Sequence, residues 1–396
     1  MAQTVPFGIS APSAEQARPI ARASAIPWFV WSGMIAVSSI SFGLYWDISW
    51  HMTIGRDTFW TPAHLLIQFG GILAAITCCY LIFSTTFSRD PGVQSASVRV
   101  WGFRGPLGAF LTAWGGVTMV TSAPFDNWWH NSFGLDVEIL SPPHVVLGLG
   151  ILGVGIGYLV LIVAEKNRAT GAARKKLSWL FLYLAGLGLL LHLILISEFS
   201  DPSMMHSAIF YRVVMYGTPA LIVGYALASE YRWGATIITA VYSAVMLAGL
   251  WILPLFAAQP KLGPVYTNVT HMVPMGFPLL LVFPAIVIDT IRSHLAGRNK
   301  WLIAFALGSA FLATLVAVQW PFGNFMISPL ARNWFFGMIY FPYQEPISMH
   351  QLAYRFEAYE PTRLAFWRGL GLGWVAAVIS SRIGIAFGGW LLRIRR

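Results

Sequence analysis

Stretches of about twenty apolar residues recur along almost the whole chain, and this repetition limits the fold more than any single motif does. A helix needs about 20 apolar residues to cross a hydrocarbon core. In lipid, backbone polar groups must be satisfied within the structure, which leaves helices or closed barrels. Ten stretches qualify, near residues 26–45, 61–84, 106–122, 142–164, 178–198, 208–228, 235–257, 273–292, 301–320 and 371–392. Only 10% of residues are charged against 57% hydrophobic, where a soluble domain carries roughly 25% charged residues. The expectation is an all-α, polytopic transmembrane helical bundle of about ten spans.

The formal charge of +10 is explained by where the cations fall. With spans alternating from a cytoplasmic N-terminus, most Lys and Arg lie in inner segments. These include Arg89, Arg99 and Arg104, then Lys166, Arg168, Arg174, Lys175 and Lys176, then Arg292, Arg298 and Lys300, then Arg393, Arg395 and Arg396. Most acidic residues lie at or beyond outer ends. This positive-inside pattern predicts that both termini are cytoplasmic, and it makes nucleic acid an unnecessary partner. Residues 1–25 contain no apolar run and read as a polar cytoplasmic tail, not a signal peptide. Cys78 and Cys79 are adjacent within one stretch and are expected to pack rather than form a thiolate site.

The expected organisation is a membrane domain over 26–165, a basic inner loop at 165–177, and a second membrane domain over 178–396. Residues 321–370 form a long outer segment rich in aromatic and turn residues, read as a structured cap or re-entrant element. Within the first domain a motif occurs twice. YWDISWHMTIGRDTFWTPAHLL begins at Tyr45 and FDNWWHNSFGLDVEILSPPHVV at Phe125. The copies share Asp47/Asp126, Trp50/Trp129, His51/His130, Gly55/Gly134, Asp57/Asp136, Pro62/Pro142 and His64/His144, with one extra residue in the second.

In each copy an Asp precedes a His by four residues, which on a helix puts both on one face. Thr61-Pro62 and Ser141-Pro142 then read as helix starts, a hydroxyl N-cap followed by Pro at the first position. That makes His64 and His144 the third residues of their helices, able to lean back toward the Asp and His before them. Two imidazoles and a carboxylate make a metal site by ligand type, suited to copper, iron, zinc or nickel. Three protein ligands leave a coordination position open, as catalytic sites require. Asp47, His51 and His64 are therefore one predicted ligand set, and Asp126, His130 and His144 the other. Asp57 and Asp136 are predicted to orient ligands from behind. Trp46, Trp50, Trp60, Trp128 and Trp129 are read either as a wall around the centres or as an interfacial belt. Glu198, Asp201, His206, His271 and His350 lie on the outer side as weaker candidates for a further site. Asp289 is expected to pair with Arg292, and His192 has no evident partner in sequence.

The run DISWHMTIGRDTFWTPAH resembles the C subunit of the copper membrane monooxygenases, the particulate methane and ammonia monooxygenase family. It has that subunit's Asp-x3-His-x12-His signature, and Asp126-x3-His130-x13-His144 resembles the second ligand set. Some members carry Asn where this chain has Asp126. FPAIVIDTI from Phe283, NKWLIAF from Asn299, QWPFGN from Gln319 and YEPTRLAFWRG from Tyr359 resemble the A subunit less closely. No cupredoxin-like domain of the B-subunit kind is found, nor the A subunit's acidic and histidine cluster at matching positions.

What the resemblance implies is copper at both trios, with iron or zinc as lesser alternatives, and oxygenation of a small apolar substrate such as methane, ammonia or a short hydrocarbon. It further implies a quinol electron donor, a periplasmic cupredoxin-like partner, a homo-oligomer in the lipid bilayer, and a bacterial inner membrane with the metal motifs on the periplasmic side. From the residues alone two alternatives stand: a non-enzymatic membrane copper handler, and a non-haem iron oxygenase, since two His and one carboxylate also form an iron triad. The absence of Met-x-x-Met and Cys-x-x-Cys pairs and the one-sided ligand clusters favour a fixed site over a conduit.

Overall fold

A computed structural model describes residues 26–55, 58–133, 141–261, 268–295, 297–344 and 354–396. These residues are helical apart from turns, connecting segments and one short hairpin. In order they form α1 (Trp28–Thr53), α2 (Pro62–Thr86), α3 (Pro91–Ser95), β1 (Val98–Val100), β2 (Phe103–Gly105), α4 (Leu107–Phe133), α5 (Pro142–Arg168) and α6 (Gly171–Leu195). There follow α7 (Ala208–Met215), α8 (Thr218–Ser229), α9 (Gly234–Ile252), α10 (Val282–His294), α11 (Lys300–Met326) and α12 (Arg363–Leu391). The antiparallel β1–β2 pair closes the connection between α2 and α4.

Eight helical stretches among the described residues are long and apolar enough to cross a membrane: α1, α2, α5, α6, α7 with α8, α9 with the turn after it, α11 and α12. Helix α4 matches them in length, but Gly, Thr, Ser and Trp lower its hydropathy, and it packs against α2 and α5. The stretch expected at 273–292 becomes helical only at Val282, and α10 has 13 residues. Pro274 and Pro278 lack an N–H, and each disfavours helix in the residue before it, so the chain leading into α10 stays irregular. The stretch at 208–228 is broken at Gly217, whose φ of 96° no helix contains. The segment 321–370 is helical at both of its ends. Helix α11 runs through Pro321 to Met326, and α12 begins at Arg363 behind the side-chain cap of Thr362.

Helices in an apolar solvent gain little from hydrophobic burial, so close backbone approach between small residues holds them together. A Cβ added at Gly115 of α4 would lie 2.4 Å from the Val154 nitrogen, and one at Gly108 2.3 Å from the Gly157 carbonyl oxygen. Gly116 meets the Gly71 carbonyl of α2 in the same way. Helices α1, α2, α4 and α5 thereby form one tight four-helix unit. Gly224 of α8 against Gly384 and Gly388 of α12 repeats the device in the second half.

The two halves meet along α1. The Tyr45 hydroxyl donates to the Met246 carbonyl at 3.4 Å. Ser49 donates to the Val273 carbonyl at 2.5 Å, and the Val273 N–H donates back to the Thr53 hydroxyl at 2.8 Å. These three residues recur every fourth position, so the last turns of α1 present one face to the second half.

Candidate metal centre

Helix α1 continues through Thr53 and α4 through Phe133, so Asp47/His51 and Asp126/His130 each share a helix face. Helices α2 and α5 start at Pro62 and Pro142. Proline rather than a hydroxyl cap marks these starts, which corrects the sequence expectation. The Thr61 hydroxyl accepts instead from the Thr58 N–H at 3.1 Å, and the enclosed Ser141 hydroxyl has no hydrogen-bond partner among the described residues.

Both trios converge. His64 Nε2 lies 3.1 Å from Asp47 Oδ1 and His51 Nε2 3.9 Å from Asp47 Oδ2. One ligand atom from each of the three lies within 4.8 Å of the other two, the only such group among the described residues. In the second trio His130 Nε2 lies 3.3 Å from Asp126 Oδ2 and His144 Nε2 3.7 Å from Asp126 Oδ1. It gathers around its carboxylate in the same way without closing to that radius. Helices α1 and α4 run toward this end of the four-helix unit and α2 and α5 away from it, so both trios sit at one end.

The geometry around His64 tests whether a metal fits. Its Nδ1 lies 3.2 Å from the Thr58 carbonyl oxygen. A carbonyl only accepts, so the proton of a neutral ring sits on Nδ1 and Nε2 presents a lone pair. That lone pair faces Asp47 Oδ1, an enclosed oxygen that completes no aligned hydrogen bond. Two lone pairs at 3.1 Å repel unless a cation or a proton stands between them. Two donors bound to one ion at about 2.0–2.1 Å stand roughly 3–3.4 Å apart, so the donor types, their separation and the tautomer all suit a metal ion. Residue spacing does not point to Thr58, which orients the ring through its backbone carbonyl.

The tryptophans divide. Trp46 and Trp50 are half-buried and pack edge to face at 6.5 Å, and Trp129 packs against Phe133 at 4.4 Å. Trp60 and Trp128 are 72% and 54% exposed. Asp57, Asp136 and His350 lie outside the described residues.

Of the weaker candidates in the second half, His206, Asp201 and His271 are engaged locally. His206 is sandwiched between Trp320 and Phe356, with ring centroids at 4.0 and 3.6 Å. Its Nε2 faces the Trp320 carbonyl, and burial holds its pKa below the ordinary imidazole value. Asp201 accepts from the Ser203 N–H at 2.8 Å. Burial raises its carboxyl, Ser203 acts against the rise, and the negative charge of Glu357 adds to it. His271 pairs with the Thr270 hydroxyl at 2.9 Å, and Glu198 is exposed.

Asp289 does pair with Arg292, at 3.2 Å, and it also accepts from the Ala235 and Thr236 N–H groups, capping the first turn of α9. His192 has a partner that sequence spacing hid: its Nε2 lies 3.2 Å from the Thr218 hydroxyl, where the chain breaks at Gly217.

Comparison with known protein families, with curated protein sequences and with solved structures finds no match to this chain.

Proposed function

We propose that the chain is a copper-dependent membrane monooxygenase, or a catalytic subunit of one, acting on a small apolar substrate with O2. The observation that supports this most is the first trio: Asp47 Oδ1 and His64 Nε2 face each other at 3.1 Å with the His64 proton directed to Thr58. The likeness of both trios to the copper membrane monooxygenases then tilts the choice among metals toward copper, ahead of iron and zinc. Asp47, His51 and His64 would hold one ion and Asp126, His130 and His144 another, and copper would supply one-electron redox chemistry that no side chain offers.

Around that ion the protein's own groups have defined tasks. The carboxylates offset the cation's charge at the end of the bundle. The Thr58 carbonyl fixes the His64 ring, and Trp46 with Trp50 limits the approach of water. A bilayer concentrates O2 and light hydrocarbons, so a centre at a span end is supplied from the membrane. The finer topology belongs to the same reading: about ten membrane-crossing stretches, both termini cytoplasmic, and the trios on the periplasmic side of a bacterial inner membrane. So do a quinol donor, a cupredoxin-like periplasmic partner and a homo-oligomeric assembly.

Metal analysis of the purified protein in bilayers tests the proposal. One copper per trio is expected, and Asp47→Ala/His51→Ala and Asp126→Ala/His130→Ala should each lose one. Iron in its place moves the reading to a non-haem iron oxygenase, which the same donor set suits. Copper without O2 uptake in the presence of a quinol and the partner moves it to copper handling. A protein holding no transition metal after copper loading under reducing conditions ends it.

A further inference from the structure

The hairpin between α2 and α4 turns on Trp101 and Gly102, whose φ values are 48° and 92°. Both are left-handed, as the mirror-type turn of a tight hairpin requires. Asn, Asp or Gly ordinarily fills the first of these positions, and a bulky side chain there is strained. Strain of this kind persists where the side chain has a task. The Trp101 indole is 80% exposed and stands edge to face with Trp114 at 5.8 Å. Trp114, itself 58% exposed, lies seven residues after Leu107, the first of α4. Seven residues are about 10 Å of helix, so the hairpin tip folds back along the outside of the bundle. Phe103 packs in the same way against Phe83 of α2, at 5.7 Å.

The other face of the hairpin carries charge. Arg99 and Arg104 are direct cross-strand partners, so their side chains leave one face with Cβ atoms about 4.5–5.5 Å apart. Like charges so placed repel. The pair is nevertheless held in register, since the Arg104 N–H donates to the Thr86 hydroxyl at 2.8 Å. Neither guanidinium enters an ion pair among the described residues. At this end of the bundle, opposite the trios, the carboxylates are engaged elsewhere. Asp90 caps α3, Glu165 pairs with Arg168, Glu230 with Lys166 and Arg174, and Asp289 with Arg292.

We propose that the hairpin Val98–Gly105 binds an anionic phospholipid, with Arg99 and Arg104 clamping its phosphate and Trp101 lying beside its acyl chains at the membrane interface. A phosphate between two guanidiniums accepts hydrogen bonds from both and turns their repulsion into attraction. Tryptophan settles at the headgroup level, where its ring meets hydrocarbon and its N–H meets water. A soluble anion would satisfy the arginines and leave the exposed Trp101 and Trp114 rings without a partner, whereas a lipid engages both. A zwitterionic headgroup would bring a second cation to a place that already holds two. The inference does not depend on what the trios bind.

Native mass spectrometry of the full chain in an uncharged detergent, with phosphatidylglycerol or phosphatidylcholine added, reads the site directly. Wild type is expected to retain phosphatidylglycerol preferentially. Arg99→Gln and Arg104→Gln should each weaken that retention about fivefold, and Trp101→Gly should weaken it too. Arg298→Gln, at an exposed cation after α10, should leave it unchanged. Thermal unfolding in the same detergent gives a second reading. Without lipid, Arg99→Gln should match or exceed the wild-type midpoint because the repulsion is gone, and with phosphatidylglycerol it should fall below it. A midpoint lowered equally in both media makes Arg99 a structural residue and overturns the clamp. So does equal retention of the two lipids by wild type, or an equal loss from Arg298→Gln. Inorganic phosphate that raises the wild-type midpoint as far as phosphatidylglycerol does would show a free-anion site and overturn the lipid.

Discussion

Lys166 is fully buried, yet its ammonium is satisfied by the Ala228 carbonyl and by Glu230 at 2.8 Å. Arg174 reaches the same Glu230 oxygen at 2.5 Å. Partial burial alone would raise the Glu230 carboxyl, but these two cations outweigh it and hold the group below its ordinary value of 4.5. A depressed carboxylate contributes stability that is fully present above its unfolded-state pKa and is lost as pH falls through the folded one. The thermal midpoint should therefore drop as the medium is acidified below about pH 4.5, the ordinary value. Glu230→Gln should lower the midpoint at neutral pH and flatten that acid limb. A variant with the wild-type acid profile would show that Glu230 carries none of it. Because Glu230 is 43% exposed, its share of the stability is smaller than a buried pair would give.

At the scale of elements, α4 and α5 are held by backbone contact rather than by large side chains. Gly115→Val inserts atoms where 2.4 Å separates a Cβ from the Val154 nitrogen, so about 1–3 kcal/mol of stability should be lost. Gly155→Val, on α5, meets nothing within 4 Å and should be nearly neutral. Equal effects of the two in a thermal unfolding assay would argue against glycine packing as the source of cohesion. The same contrast shows what sequence could reveal. The Asp-x3-His spacing and the prolines at 62 and 142 state local geometry directly, and the helices follow them. Hydropathy does not distinguish a helix from an apolar segment interrupted by Pro274 and Pro278, nor does it register the break at Gly217. The Thr58 carbonyl is placed by the backbone turn just before α2, and residue spacing does not report the path of that turn.

At the scale of the molecule, the last turns of α1 serve two neighbours. Asp47 and His51 face α2, while Tyr45, Ser49 and Thr53 are tied to the second half. Ser49→Ala with Thr53→Val should loosen that end of α1 and weaken metal retention by the first trio by up to about tenfold. The second trio, on α4 and α5, should be unaffected. Competition with a chelator, followed by metal analysis, separates the two trios, and parallel losses from both would contradict the assigned anchoring.

The anchor also bears on how the protein is made. Ser49 and its partner Val273 are 224 residues apart in the chain. At a synthesis rate of about 5–20 residues per second, roughly 10–45 seconds pass between translation of the two. During that interval Asp47, His51 and His64 are already in the nascent protein, while the end of α1 still lacks its lateral support. The trio translated first is thus completed only after most of the later helices have been inserted, and metal offered during synthesis meets an unbraced site before it meets the finished one.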